Sequence, residues 1–170
     1  MSHQQDRYDG EFARGKKNGQ GVMKYHNGDD YDGEWKDDQK CGYGKMVYCN
    51  GDIYVGLWVN DQKNGSGEMK YEFGDVYNGE WKNEAKCGQG VLTYVGVGRY
   101  DGTWNGDKKN GQGTLSYENG DLYEGNWRDE ERSGQGKMIY KGVGKYVGQW
   151  ANDKVRLSSL LPCLAYTSRS

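Results

Sequence analysis

A tyrosine recurs every 23 residues along this chain, at Tyr8, Tyr31, Tyr54, Tyr77, Tyr100, Tyr123 and Tyr146. A strict period of this length constrains the fold more than any other feature. Each repeat has to be one supersecondary unit that buries its apolar face by stacking on copies of itself. Counting the tyrosine as position 0, Gly stands at position 2 from Gly10 to Gly148, and a large aromatic stands at position 4. That aromatic is Phe12 first, then Trp35, Trp58, Trp81, Trp104, Trp127 and Trp150, which uses all six tryptophans. Glycines return at positions 11 and 13, from Gly19 and Gly21 to Gly134 and Gly136, and a second tyrosine at position 17, from Tyr25 to Tyr140.

Alternation with a period of two means strand. Positions 13, 15 and 17 carry Gly, then Met or Leu, then Tyr; positions 0, 2 and 4 of the next repeat carry Tyr, Gly and an aromatic. Between them lies a turn signal, Asn27-Gly28-Asp29 and its copies, replaced by Gly96-Val97-Gly98 and Gly142-Val143-Gly144 in repeats four and six. For the tyrosines to share a face, parity requires an odd loop. The expectation is a three-residue loop closed by His26 and Asp30, with Tyr25 opposite Tyr31, Met23 opposite Gly33 and Gly21 opposite Trp35, each bulky side chain meeting a small one. The stretch from position 5 to 10 reads as a loop. Leu, Ile, Val and Phe make up only 23 of 170 residues, so Tyr and Trp must supply the core.

The pattern YxGxW, then GxG, then Tyr, as in Tyr31-Asp32-Gly33-Glu34-Trp35-Lys36 through Gly42-Tyr43-Gly44 to Asn50-Gly51-Asp52, resembles the MORN (membrane occupation and recognition nexus) repeat over residues 8 to 153. The resemblance implies an all-β fold, an elongated single antiparallel ribbon of stacked hairpins. It also implies a non-catalytic scaffold or adaptor for protein–protein interaction at cytoskeletal assemblies, cilia and flagella included, or at the inner membrane surface, in the cytoplasm. Two alternatives come with it: a module for phosphoinositides or other anionic lipids, or a piece of a repeat-bearing lipid kinase or SET-domain methyltransferase without its catalytic domain. The domain reading is a lead over 1–7, six full repeats plus a partial seventh over 8–153, and a non-repeat tail over 154–170. In that tail Leu157, Leu160, Leu161 and Leu164 make an apolar patch that reads as a cap over the last hairpin, as a truncated or alternative end, or as a partner-binding tail.

Residues able to carry chemistry are scattered. His3 and His26 have no repeated partner, and acidic residues are spread one to a repeat, so neither catalysis nor metal binding is expected, and no cofactor. Asp29, Asp52, Asp75 and Asp121 are read as turn-fixing residues. Cys41, Cys49, Cys87 and Cys163 are read as free thiols. The one repeated charge signature is at position 9: Lys17, Lys40, Lys63, Lys86, Lys109 and Arg132 form a stripe that reads either as a solvated face or as a surface for an anionic lipid or a partner. Position 7 is acidic in Asp38, Asp61, Glu84, Asp107 and Glu130, which weakens that attraction. With a net charge of −2, nucleic acid is disfavoured. The stacked rings Tyr31, Trp35, Tyr54, Trp58, Tyr77, Trp81, Tyr100, Trp104, Tyr123 and Trp127 form the aromatic core or groove, against which an extended or helical protein segment is expected. Trp81 should matter more than Trp150 at the end of the array. The Tyr8–Phe12 strand lacks an upstream half-hairpin, so a homodimer through this edge is expected.

Overall fold

The structure, a computed structural model, describes residues 5–156; the leucines of the tail, and Cys163, lie outside them. Strands follow one another in an antiparallel sheet whose order is chain order, and no described residue is helical. The chain divides after Lys86 into two compact units. The first contains β1 (Arg7–Ala13), β2 (Lys16–Lys24), β3 (Asp30–Lys36), β4 (Gln39–Val47), β5 (Ile53–Val59), β6 (Gln62–Lys70) and β7 (Val76–Lys82). The second contains β9 (Gly98–Asn105), β10 (Lys108–Tyr117), β11 (Leu122–Arg128), β12 (Glu131–Tyr140), β13 (Gly144–Ala151) and β14 (Lys154–Val155), together with most of β8 (Ala85–Tyr94). This is the all-β sheet of hairpins that the repeat predicts.

Two kinds of turn alternate along it. The three-residue loop exists, but it is closed by Tyr25 and Asp29: Tyr25 N donates to the Asp29 carbonyl at 2.9 Å and Gly28 N to the Tyr25 carbonyl at 3.0 Å. Sliding the closing pair by one residue moves every partner by two, so Met23 faces Tyr31, Gly21 faces Gly33 and Gly19 faces Trp35. The physical reason is Gly28, whose φ of 93° suits the last loop position of a type I turn with a glycine bulge. Asp29 secures the loop by accepting from the Asn27 amide at 2.9 Å. The other correction concerns positions 5 to 10. Only Asp37 and Asp38 turn, with φ of 48° and 72°, a primed two-residue hairpin turn, and the strand resumes at Gln39. β1 likewise has a partner, since Tyr8 pairs with Met23 of β2; no described strand lies on its other edge.

The glycine pairs explain the core. A Cβ on Gly44 would sit 2.3 Å from Tyr31 Oη, and one on Gly33 would sit 2.5 Å from the Gly44 Cα. The two glycines form a bare floor across which the Tyr31 ring lies flat, its hydroxyl donating to the Glu34 carbonyl at 3.1 Å. Tyr31, Tyr54, Tyr77, Tyr100 and Tyr123 are fully buried in this way. Tyr31, Tyr54, Tyr100 and Tyr123 are each wedged edge-on between two tryptophans: Tyr31 lies 5.1 Å from Trp35 and 5.4 Å from Trp58, and Tyr100 lies 5.2 Å from Trp104 and 5.4 Å from Trp127. Such edge-to-face pairs add about 0.5–1.5 kcal/mol to the burial itself.

Each indole also reaches into the preceding repeat. Trp35 Nε1 donates to the Gly21 carbonyl at 3.0 Å, and Trp150 Nε1 to the Gly136 carbonyl at 3.3 Å. Phe12 has no N–H to place and is 63% exposed. Trp150, by contrast, is as buried as Trp81, at 4% each, and is enclosed by Tyr123 and Tyr146. The thin end of the aromatic stack is therefore Phe12, not Trp150.

Candidate functional site

The repeat has an aromatic face and an outward face, and the expected site residues divide between them. Position-9 cations point into the aromatic face. Lys40 Nζ lies 4.5 Å from the Trp58 ring centre and 5.6 Å from that of Tyr31, and the Arg132 guanidinium lies 4.5 Å from Trp150. The side chains of Lys63, Lys109 and Arg132 are only 10%, 12% and 19% exposed. The stripe is thus part of the packing, with hydrocarbon stems along the rings and charges held by cation–π contact. Lys17 and Lys86 take the same position, Lys17 over Trp35 and Lys86 over Tyr77.

The acidic row completes this arrangement. Asp38 receives the backbone N–H of Lys17 on its carboxylate at 2.8 Å and returns its own N–H to the Lys17 carbonyl at 3.1 Å. Asp61 makes the same two-way clasp with Lys40. Where the acid is longer or its partner is Arg, the side chains pair as well: Lys63–Glu84 at 3.0 Å, Lys109–Glu130 at 2.6 Å and Arg132–Asp153 at 2.8 Å. The clasp holds Glu84 and Glu130 at φ of 72° and 76°, a conformation uncommon for glutamate. By spacing alone, positions 7 and 9 read as two rows of like charge. Their bonding partners lie 21 residues apart, and only the stacking of one repeat's turn on the preceding repeat's strand brings them together.

The same surroundings perturb titration. Burial holds the Lys40 amine below the usual lysine range. Burial alone would lower Lys109, but its hydrogen bond to Glu130 and the charge interactions with Tyr94 and Glu130 together outweigh burial and raise it. Glu84→Ala strands the Lys63 ammonium, so it should cost about 1–2 kcal/mol in urea unfolding, while Lys63→Met, which removes the charge and keeps the stem, should cost less. Burial pushes Tyr25 and Tyr123 up to about 12, and raises Tyr31, Tyr48, Tyr54 and Tyr100 further. Below pH 10 these phenols are neutral in both folded and unfolded chain. Above it the unfolded chain releases protons that the folded chain retains, so stability falls as pH rises towards 12. The ionisation of the buried phenols, the last part of the tyrosinate absorbance to develop, should therefore coincide with loss of the folded circular dichroism signal above pH 10.

The outward face is open. In the second unit it carries a shallow, open cavity of about 580 Å³ floored by Gly102, Gly113, Gly125 and Gly136. Amides and hydroxyls line it in a cross-strand ladder: Gln89 Nε2 donates to Thr103 Oγ1 at 3.1 Å, and Gln112 Nε2 to Asn126 Oδ1 at 2.6 Å. Lys137 pairs with Glu124 at its border, at 3.0 Å. Among the described residues no three His, Cys, Asp or Glu are placed to hold a metal ion. Cys41 and Cys49 are free thiols.

A family model for the MORN repeat matches residues 8–30, 31–53, 54–76, 77–96, 100–122 and 123–142. The shortened matches end in the two Gly-Val-Gly turns. No curated protein matches the chain. Among solved structures it is similar to the TCP domain of SAS-4 (dCPAP) of Drosophila melanogaster, solved in complex with a proline-rich motif of Ana2 (dSTIL). That likeness is 17% in identity, with 76% of this chain and 71% of the other covered and a TM-score of 0.49, and no functional weight rests on it. With six matched segments over most of its length, and a buried Tyr–Trp stack built on the same register, the chain belongs to the MORN-repeat family.

Proposed function

We propose that this protein is a non-catalytic scaffold that docks segments of partner proteins on the outward face of its sheet, at cytoskeletal or membrane-associated assemblies in the cytoplasm. One observation carries the reading: the position-9 cations lie over the aromatic rings, with Lys63, Lys109 and Arg132 also paired to acids, while amide and hydroxyl side chains are turned out. A lipid module needs ammonium groups free to meet phosphates, and those of Lys63 and Lys109 are held among rings and carboxylates. A protein segment needs a concave, hydrogen-bonding surface, which the glycine-floored cavity supplies. Self-pairing through the open edge of β1 belongs to the same proposal, and a chain monomeric in light scattering at tens of micromolar would remove it.

The test is affinity capture from cells with the wild-type chain and with a Gln112→Ala/Gln135→Ala variant, quantified by mass spectrometry, beside sedimentation with phosphatidylserine vesicles. Partners lost with the variant and weak vesicle binding at physiological salt are expected. Tight vesicle binding at that salt, with capture indifferent to the variant, would overturn the reading.

A further inference from the structure

β5 departs from every other strand of its kind. Its aromatic face carries Tyr54, Gly56 and Trp58 like the rest, but its outward face carries Ile53, Val55, Leu57 and Val59. The equivalent outward residues of β3 are Asp30, Asp32, Glu34 and Lys36. A strand apolar on both faces is the pattern of one covered on both faces. Here the outward side is open: Leu57 is 41% and Val59 50% exposed. The neighbouring β4 adds to the patch, because Tyr43, 58% exposed, lies opposite Leu57, and Val47 lies opposite Ile53. Repeat stability does not call for these residues. At the position of Leu57, Glu11 and Glu34 accept a backbone N–H from the adjoining bulge, at 3.0 and 2.8 Å, a bond that a leucine side chain cannot make.

The surroundings of the patch select its occupant. β4 and β5 are interior strands, paired on both sides, so a partner cannot add a strand and has to lie across the face. Ile53 to Leu57 spans about 13 Å, close to the roughly 10 Å covered by i to i+7 anchors on a helix. Its border is mixed in charge: Asp32 lies opposite Lys45, which itself lies opposite Val55, and Lys70, opposite Ile53, pairs with Glu68 at 3.2 Å, while Glu34 stands beside Tyr43, accepting its backbone N–H at 2.8 Å. The carboxylate of Glu34, with no lysine opposite it in the register, favours a cationic flank on the segment that covers Tyr43 and Leu57.

We propose that the outward face of β4 and β5 docks an amphipathic helix of a partner protein, with apolar residues at i, i+3, i+4 and i+7 and Lys or Arg flanking them. This rests on the docking role above and names its partner class at one place in the first unit.

The test is calorimetric titration of the full chain with an 18-residue Leu/Lys peptide of that spacing, with its Leu/Glu counterpart, and with a scrambled Leu/Lys peptide. The variant is Tyr43→Gln/Leu57→Glu, which installs residues that other repeats carry at these positions and is expected to keep the wild-type melting temperature. If it does not, Leu57→Thr, which installs the residue that Thr103 supplies at the equivalent position, replaces it. The spaced Leu/Lys peptide should bind, the other two at least tenfold more weakly, and the variant should lose at least tenfold in affinity. Because the variant adds a carboxylate, a purely electrostatic attachment would strengthen instead. Unchanged or tighter binding by the variant would overturn the proposal, as would equal binding of the scrambled peptide. Self-association or binding to phosphatidylserine vesicles that Leu57→Glu abolishes would overturn it too. Loss of this proposal with variant-sensitive capture intact would leave the broader docking role standing.

Discussion

Gly44→Ala is expected to destabilise the chain by at least about 3 kcal/mol, a single methyl group with the effect of a large core truncation. The new Cβ would lie 2.3 Å from Tyr31 Oη and 2.6 Å from the ring carbon that carries it. Tyr31 cannot yield, because it is fully buried between two indoles and hydrogen-bonded to the Glu34 carbonyl. Overpacking of a rigid core commonly costs about 1–3 kcal/mol and more when nothing can move. The contrast is Gly106→Asn. That glycine, at φ of 55° with nothing within 4 Å, stands where Asn60 and Asn83 stand in other repeats at 48° and 49°. Its replacement should stay within about 0.5 kcal/mol. Denaturant midpoints of the two variants check the pair, and equal effects would show that glycine in this repeat serves only backbone freedom.

The second large effect is expected at Trp58. Trp58→Ala removes a side chain 2% exposed that lies 5.4 Å from Tyr31 and 5.2 Å from Tyr54, donates to the Gly44 carbonyl at 3.3 Å and underlies the Lys40 ammonium. Truncating such an aromatic costs about 3–5 kcal/mol. Phe12→Ala, at the same repeat position but exposed at the edge, should cost under about 1.5 kcal/mol. Trp150→Ala should resemble Trp58→Ala, since Trp150 is enclosed by two tyrosines and hydrogen-bonded to Gly136. A graded loss from Trp58 to Trp150 in thermal unfolding would contradict that.

Much of this molecule was legible from spacing. Period 23, alternation by two and a turn signal in each repeat lead to strands, hairpins and a Tyr–Trp core, because strand parity and repeat stacking are local rules that residue order expresses directly. Two things were not legible. Register depends on where a three-residue loop closes, and Tyr25/Asp29 and His26/Asp30 satisfy the same parity; the choice falls to Gly28 and its positive φ. The fate of the cations depends on contacts between residues 21 apart, which exist only once one repeat's turn lies against another's strand. The chain by itself determined the all-β repeat and the identity of its core, since these follow from alternation and period. Tertiary structure alone decided that Lys63 and Lys109 are held within the core and that Leu57 is exposed, because burial depends on which neighbours the fold stacks beside a residue.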